Sequence, residues 1–234
     1  MVDVGVTIDE FITMNQCQVL YHMSEKGSWA SIQKNGLLST TALLDLFEKT
    51  GPERVRIESQ LRRRSVPIYN PDNPGLGRAV IRDQDPMIDR PLDGIYLKGL
   101  LEDDTNSQEW FELLNRKTFF WVKERHLRNM LCARNYRNRP HWVIKVDTRA
   151  LLQRYADRVT LSNQNTGSLY SRRLRGRSTF VPFRGYPPRY DIVELAVEYD
   201  VPDIADLTIS VTECVGVWEN NETVCREGKK IWPT

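Results

Sequence analysis

One stretch limits what this chain can fold into more than any other: Val19-Leu20-Tyr21-His22-Met23-Ser24, followed by Trp29, Ile32 and Gly36-Leu37. An apolar run ends in a histidine, and a hydroxyl residue stands two positions later. Such a run is too short to be a helix and reads as a buried strand over 17–22, so the chain must build a sheet around it. Trp29, Ile32 and Leu37 then lie on the sheet-facing side of a helix over 27–36, with Gly36 as its left-handed C-cap. At the end of that strand His22 turns its imidazole out of the sheet edge into a cleft. By spacing alone it also reads as an ordinary core histidine satisfied at a strand end.

The remaining punctuation gives an α+β order, with helices mostly in the first half and strands mostly in the second. Thr7 with Glu10 makes a capping box for a helix over 7–16. Ser39 or Thr40 caps a helix with Leu43, Leu44, Leu46 and Phe47 on one face, and Pro52 opens a third that ends near Arg64. Residues 66–94 are rich in proline and glycine and read as a long binding loop or lid, carrying the string Ile81-Arg82-Asp83-Gln84-Asp85-Pro86-Met87. A helix over 106–115 precedes Thr118-Phe119-Phe120-Trp121-Val122, the clearest strand in the chain. Helix 124–136, strand 142–146 and a helix capped by Asp147-Thr148 and running to Tyr155 follow. Segment 158–190 is polar, with short strands expected at 159–161 and 179–183. Strands 192–197 and 207–211 are joined by a turn at Val201-Pro202-Asp203-Ile204. The last twenty residues, with Trp218 and Trp232, show no readable element. One domain over 1–234, with an insert at 39–94, accounts for the length.

Composition narrows the function classes. No apolar run reaches the roughly 18 residues of a membrane span, and Asp3, Asp9 and Glu10 interrupt any signal-like start, so a cytoplasmic protein without membrane contact is expected. Cys17, Cys132, Cys214 and Cys225 are widely spaced and the chain has three histidines, so no metal site is expected and the thiols are expected reduced. Net charge is only +2, yet Arg172, Arg173, Arg175, Arg177, Arg184 and Arg189 follow one another with no acid between, and six acids with no base follow from Asp191 to Asp206. Arginine-dominated segregation of this kind points to a phosphate-bearing partner, although charge runs also mark plain solvated faces.

Two further residues can carry chemistry. Glu194 interrupts the apolar strand Ile192-Val193-Glu194-Leu195-Ala196-Val197. A carboxylate there is either paired in a cleft or solvated on an edge strand. Arg125, just after the aromatic strand, suits a pyrophosphate or orients an acceptor; it is equally one charge on a solvated helix face. His126 and His141 read as structural.

These motifs together resemble the DarT-type NAD-dependent ADP-ribosyltransferases. The resemblance rests on Tyr21-His22-x-Ser24 with Ile32 and Gly36-Leu37; on Phe119-Phe120-Trp121 with Arg125 and Met130-Leu131; and on Glu194-Leu195-Ala196-Val197 followed by Val201-Pro202-Asp203-Ile204 and Ile209-Ser210-Val211. Ser28 stands where that family often has Asn, about three extra residues precede Met130, and the 39–94 insert has no counterpart. The resemblance implies an ADP-ribosyltransferase-like split β-sheet core and NAD as co-substrate without a metal. It implies a toxin or defence effector that modifies a base of single-stranded DNA or RNA, with a neutralising antitoxin as a further partner. It assigns catalysis to Glu194 and Arg125 and NAD binding to His22, Ser24 and Phe120. Arg82, within the insert that has no counterpart there, is expected to line the same cleft and bind NAD. The resemblance places the acceptor on Asn165, Tyr170, Arg172, Arg173, Arg175, Ser178 and Thr179. Transfer to a protein side chain, NAD hydrolysis by water, and a non-catalytic NAD- or nucleic-acid-binding module are the alternatives.

Overall fold

Eight strands form one antiparallel sheet at the centre of the computed structural model, which describes residues 5–84, 97–102, 104–168, 172–187 and 191–233. In spatial order they are β12 (Glu222–Trp232), β11 (Thr208–Glu219), β6 (Pro140–Asp147), β1 (Val19–Glu25), β5 (Lys117–Trp121), β9 (Glu194–Glu198), β7 (Val159–Ser162) and β8 (Val181–Pro182). The fold is therefore α+β with a large antiparallel sheet. β1 pairs with β6 over its whole length, Val19 opposite Asp147 through Glu25 opposite His141. With β5 it shares a single pair, Tyr21 opposite Trp121. The sheet is thus two ladders joined at one point.

Alternation along the strands decides the two faces. Leu20, Phe120, Ile144, Val146, Leu195 and Val197 share one core with Phe11 and Ile12 of α1 (Ile8–Asn15), Trp29 of α2 (Trp29–Asn35) and Leu151 and Leu152 of α7 (Thr148–Tyr155). Ile204 and Leu207 of α8 (Ile204–Leu207) complete it. On the other face Met23, Val143 and Cys214 pack on Leu127 and Leu131 of α6 (Glu124–Leu131). Trp110 and Phe111 of α5 (Ser107–Asn115) pack with Phe180. Each such fully buried side chain contributes about 1.5–3 kcal/mol.

The local signals explain most helix starts. Thr7 and Glu10 form the expected capping box, with the Glu10 N–H donating to Thr7 Oγ1 at 3.2 Å and the Thr7 N–H to Glu10 Oε2 at 2.8 Å. Ser39, not Thr40, caps α3 (Thr40–Leu46), and Pro52 sits in the first turn of α4 (Gly51–Glu58), which ends six residues earlier than expected. Gly36 ends α2 with φ 84° and ψ 173°, positive φ but outside the left-handed helical well. A Cβ there would lie 2.6 Å from Pro202 Cα, where the short β2 (Leu37–Leu38) pairs with β10 (Asp200–Val201), so glycine is required by the close approach of the chain.

Further elements differ from the sequence reading. Over its described part, the 66–94 region is not a plain loop: β3 (Val66–Tyr69) and β4 (Arg78–Ile81) form a hairpin, and Ile68 and Ile81 pack with Leu44, Phe47 and Ile57 in a separate small core. Helix 124–136 stops at Leu131. Residues 179–183 hold a short 3-10 turn and the two-residue β8 in place of a longer strand. Over their described part, the last twenty residues hold the rest of β11 and the whole of β12, a hairpin on the sheet edge. Its turn is Asn220-Asn221, at φ 50° and 64°. Asparagine tolerates positive φ, so this pair is the readable hairpin signal. Among the described residues no helix is long and apolar enough to cross a membrane.

Candidate functional site

Glu194 opens β9, and the pattern that buries Leu195 and Val197 in the main core turns Glu194 to the opposite face. β9 is interior, flanked by β5 and β7, so the solvated-edge alternative does not hold; Glu194 is 4% exposed. One row of directly opposed residues crosses four strands here: Tyr21, Trp121, Glu194 and Ser162. The Thr166 N–H and hydroxyl both donate to Glu194 Oε2, at 3.1 and 2.6 Å. Burial pushes the carboxyl up to about 7, against the lowering effect of the two Thr166 bonds and the Arg175 charge.

Arg175 is the first correction to the expected acceptor surface. It is wholly buried, and its guanidinium donates to the carbonyls of Arg173 and Ser168. Its backbone is clamped as well: its N–H donates to the Leu100 carbonyl and its carbonyl accepts from Glu102, both at 2.8 Å. Burial holds its pKa below the usual arginine value, with Glu194 acting in the opposite direction. It stands as the counter-charge of Glu194 and grips no phosphate from this position.

His22 sits in the middle of β1, not at a strand end, because β1 continues to Glu25. Its place is special for another reason. β1 and β5 share one backbone pair, and the imidazole bridges the seam beside it: Nδ1 lies 2.8 Å from the Phe119 carbonyl. A carbonyl only accepts, so Nδ1 carries the proton and donates. Burial first, then the Arg82 charge, hold the histidine down at about 4, against the effect of the Phe119 bond. The ring is neutral at pH 7 and keeps Nε2 as an acceptor. Phe120 backs it at 5.8 Å between ring centroids and is itself fully buried.

Arg82 comes from just beyond β4 and is brought to this seam. Its carbonyl accepts from Arg62 Nε at 3.1 Å, its guanidinium lies 6.0 Å from the Tyr136 ring centre, and its charge acts on both His22 and His141. Ser24 is two residues beyond His22, but its hydroxyl is committed to the Trp142 carbonyl at 3.1 Å. Arg125 lies at the rim. It is in the first turn of α6, more than half exposed, with Nη2 3.2 Å from Asp191. His126 and His141 have structural partners: His126 packs edge-on to Trp121, and His141 Nε2 is 3.3 Å from the Tyr136 carbonyl.

The expected acceptor residues are only partly together. Arg172 and Arg173 are exposed, with Arg173 Nη1 donating to the Asn163 carbonyl at 3.2 Å. Asn165 is half-buried in the turn that carries Thr166. The Ser178 hydroxyl donates to Glu102 and so ties this segment to a distant one, while Thr179 Oγ1 accepts the Gly176 N–H at 3.0 Å and serves the local turn. Tyr170 lies outside the described residues. The acids of 191–206 pair largely with other segments: Glu198 with Arg116 and Lys117, Asp200 with Arg158, and Asp203 with Arg154.

Ser162, Gln164 and Thr166, the buried polar cradle around Glu194, escape a reading of the sequence. The signal is present, since a carboxylate inside an apolar strand demands donors and Asn165-Thr166-Gly167 is a turn at the end of the neighbouring strand. A separate cleft of about 260 Å³ lies where β1 and the β5–α6 connection part, lined by Gln16, Gln18, Val19, Tyr21, Val122, Lys123 and Glu124. Tyr21 belongs to both this cleft and the Glu194 row. Among the described residues no group of three His, Cys, Asp or Glu could hold a metal ion.

No curated protein matches the chain. One family model does, over residues 18–208, a span that includes His22, Arg82, Thr166, Arg175 and Glu194 and ends at the first residue of β11. The chain thus belongs to DUF7002, a family of unknown function.

Proposed function

We propose that the chain is an NAD-dependent mono-ADP-ribosyltransferase that transfers ADP-ribose to a nucleic-acid base, acting as a toxin or defence effector, with the split-sheet core of such enzymes. One observation carries this reading: a carboxylate, Glu194, buried on an interior strand and held there by two bonds donated from Thr166. The DarT-type resemblance, which assigns catalysis to Glu194, supports it. When the C1′–N bond of NAD breaks, the electron pair leaves with nicotinamide and positive charge develops on the ribose, as in glycoside cleavage. An ionised Glu194 holds a ribose hydroxyl and faces that charge. In a site screened from water its effect on the transition state is larger than it would be in bulk solvent. His22 Nε2 accepts from a second ribose hydroxyl, and Arg82 balances the diphosphate. The acceptor base then attacks C1′, and Arg172 and Arg173 hold the phosphates beside it.

The test is incubation with NAD labelled in its adenylate half, together with single-stranded DNA, single-stranded RNA and cell extract. Nicotinamide release with label in nucleic acid is the expected result. Label in protein would move the acceptor to a side chain, and release without transfer would make the chain a NAD glycohydrolase. No release in any mixture would leave only a binding module.

A further inference from the structure

Thr166 meets Glu194 twice, and both donated bonds end on the same oxygen, Oε2; Oε1 takes no part in them. The turn that delivers Thr166 is braced from two sides. The Ser162 hydroxyl donates to the Gln164 carbonyl at 3.1 Å and accepts the Gln164 N–H at 3.3 Å, which ties the turn to β7. Gln164 Nε2 donates to the Leu174 carbonyl at 3.1 Å, which ties it to the segment that carries Arg175. Ser162, Gln164 and Thr166 are all buried, at 2%, 6% and 3% exposure. A buried polar turn is costly unless its groups are bonded, and here bonds at Gln164 brace the turn while Thr166, two residues on, is aimed at one carboxylate oxygen.

We propose that Thr166 is a positioning residue: it fixes Oε2 of Glu194 so that Oε1 is the oxygen presented to the substrate ribose. The proposal rests on the reading of Glu194 as the carboxylate that serves NAD cleavage. Its chemistry follows from hydrogen bonding. A carboxylate that receives two donated bonds is held in one rotamer, and its ionised form is favoured against burial. Arg175 is the charged group that acts on Glu194 in the same direction. The other members of the row, Tyr21, Trp121 and Ser162, bring no charge to it near neutral pH.

Thr166→Val keeps the shape and the backbone N–H but removes the hydroxyl, and Thr166→Ser restores a donor. Two measurements are taken on each. In the pH profile of nicotinamide release, the ascending limb of Thr166→Val should move up by about one unit, the worth of one hydrogen bond to a charged group. Its kcat should fall about fivefold at pH 7 with KM little changed, as the ionised fraction drops from about one half to about one tenth, and Thr166→Ser should return close to wild type. Independently of turnover, infrared titration of the carboxyl band that disappears in Glu194→Gln should show the same upward movement. If Glu194→Gln releases nicotinamide at the wild-type rate, the underlying reading of the site is wrong. If Glu194→Gln is inactive but Thr166→Val overlays wild type in both measurements, the positioning role is overturned. Should Thr166→Val not fold, Thr166→Ala carries the same expectations.

Discussion

On one side of the Tyr21–Trp121 pair the ladders are long. β1 and β6 are matched over seven residues, β6 and β11 over seven, and β11 and β12 over eight. On the other side β5 and β9 are matched over five residues, β9 and β7 over four, and β7 and β8 over two. The long half fills its interior with Leu20, Ile144, Val146 and Val211, each fully buried. The short half sends Phe120, Leu161, Leu195 and Val197 into the same core, and on its other face buries a carboxylate, with a serine opposite it and a threonine and an arginine closing over it. Long ladders and apolar packing supply the stability margin, and that margin tolerates a buried ionisable cluster that stability alone would not select. His141, buried in the long half, has its pKa pushed below the usual histidine value by burial, with its ring beside the Tyr136 carbonyl.

The comparison can be broken from either side. The largest stability effect is expected in the long half: Ile144→Ala should cost about 2–5 kcal/mol, through the transfer energy of the deleted methyl groups and a residual cavity. Urea unfolding at pH 5 and pH 8 should give the same loss, because no proton is involved. A strong pH dependence of that loss would mean that the halves are not energetically distinct.

In the short half the effect should depend on pH. Glu194 ordinarily titrates at 4.5 and is pushed up to about 7 in the fold. Between those values the folded chain binds more protons than the unfolded one, so stability from this group is full below 4.5 and is lost as pH rises through 7. Glu194→Gln removes that loss. Relative to wild type the variant should gain up to about 3 kcal/mol by pH 8, at about 1.4 kcal/mol per pH unit. A constant difference across the range would show that Glu194 is not buried in its charged form.

At the seam the sign reverses. His22 ordinarily titrates at 6.5 and is held down at about 4. Between these values the folded chain binds fewer protons, so its contribution is full above 6.5 and is lost as pH falls through 4. In wild type the two slopes oppose each other between 4.5 and 6.5. His22→Gln should therefore uncover the Glu194 slope, with stability falling as pH rises, and Glu194→Gln should uncover the opposite one. The His22 effect should be the smaller, since that residue is partly exposed. Identical profiles for the two variants would refute the assignment of both groups.

The smallest effect belongs to the exposed arginines. Arg172→Ala with Arg173→Ala should weaken single-strand binding and lower the salt slope by about 1 to 2, one for each phosphate no longer held. An unchanged slope would remove these residues from the acceptor surface.

Much of the scaffold is legible in the sequence because its signals are local. The Thr7–Glu10 capping box, Pro52 in a first turn, Asp147 as N-cap and the alternation around Phe120 and Leu195 each act within a few residues. Helix 124–136 reads too long because the first stop residue in a left-handed turn is Asn138, at φ 62°, whereas the helix already ends at Leu131, with the Cys132 thiol donating to the Val217 carbonyl. The site is legible only in part. Glu194 stands out because a carboxylate in an apolar strand breaks a pattern. Arg175 reads as surface because a run of arginines looks uniform in sequence, and only the pairing with Leu100 and Glu102 draws that one inward. Thr166 is only half legible: a carboxylate in an apolar strand demands donors, but that the 165–167 turn supplies them depends on a register between β7 and β9 that no local signal carries.

The most direct test of the central claim is nicotinamide release from NAD by Glu194→Gln, measured beside wild type at pH 8 with unfolding curves taken on the same samples. The account predicts that wild type releases nicotinamide, that the variant is at least as stable, and that its rate is lower by roughly 10²- to 10³-fold, as expected when one charged group facing the transition state is removed. A folded variant that retains the wild-type rate would contradict it.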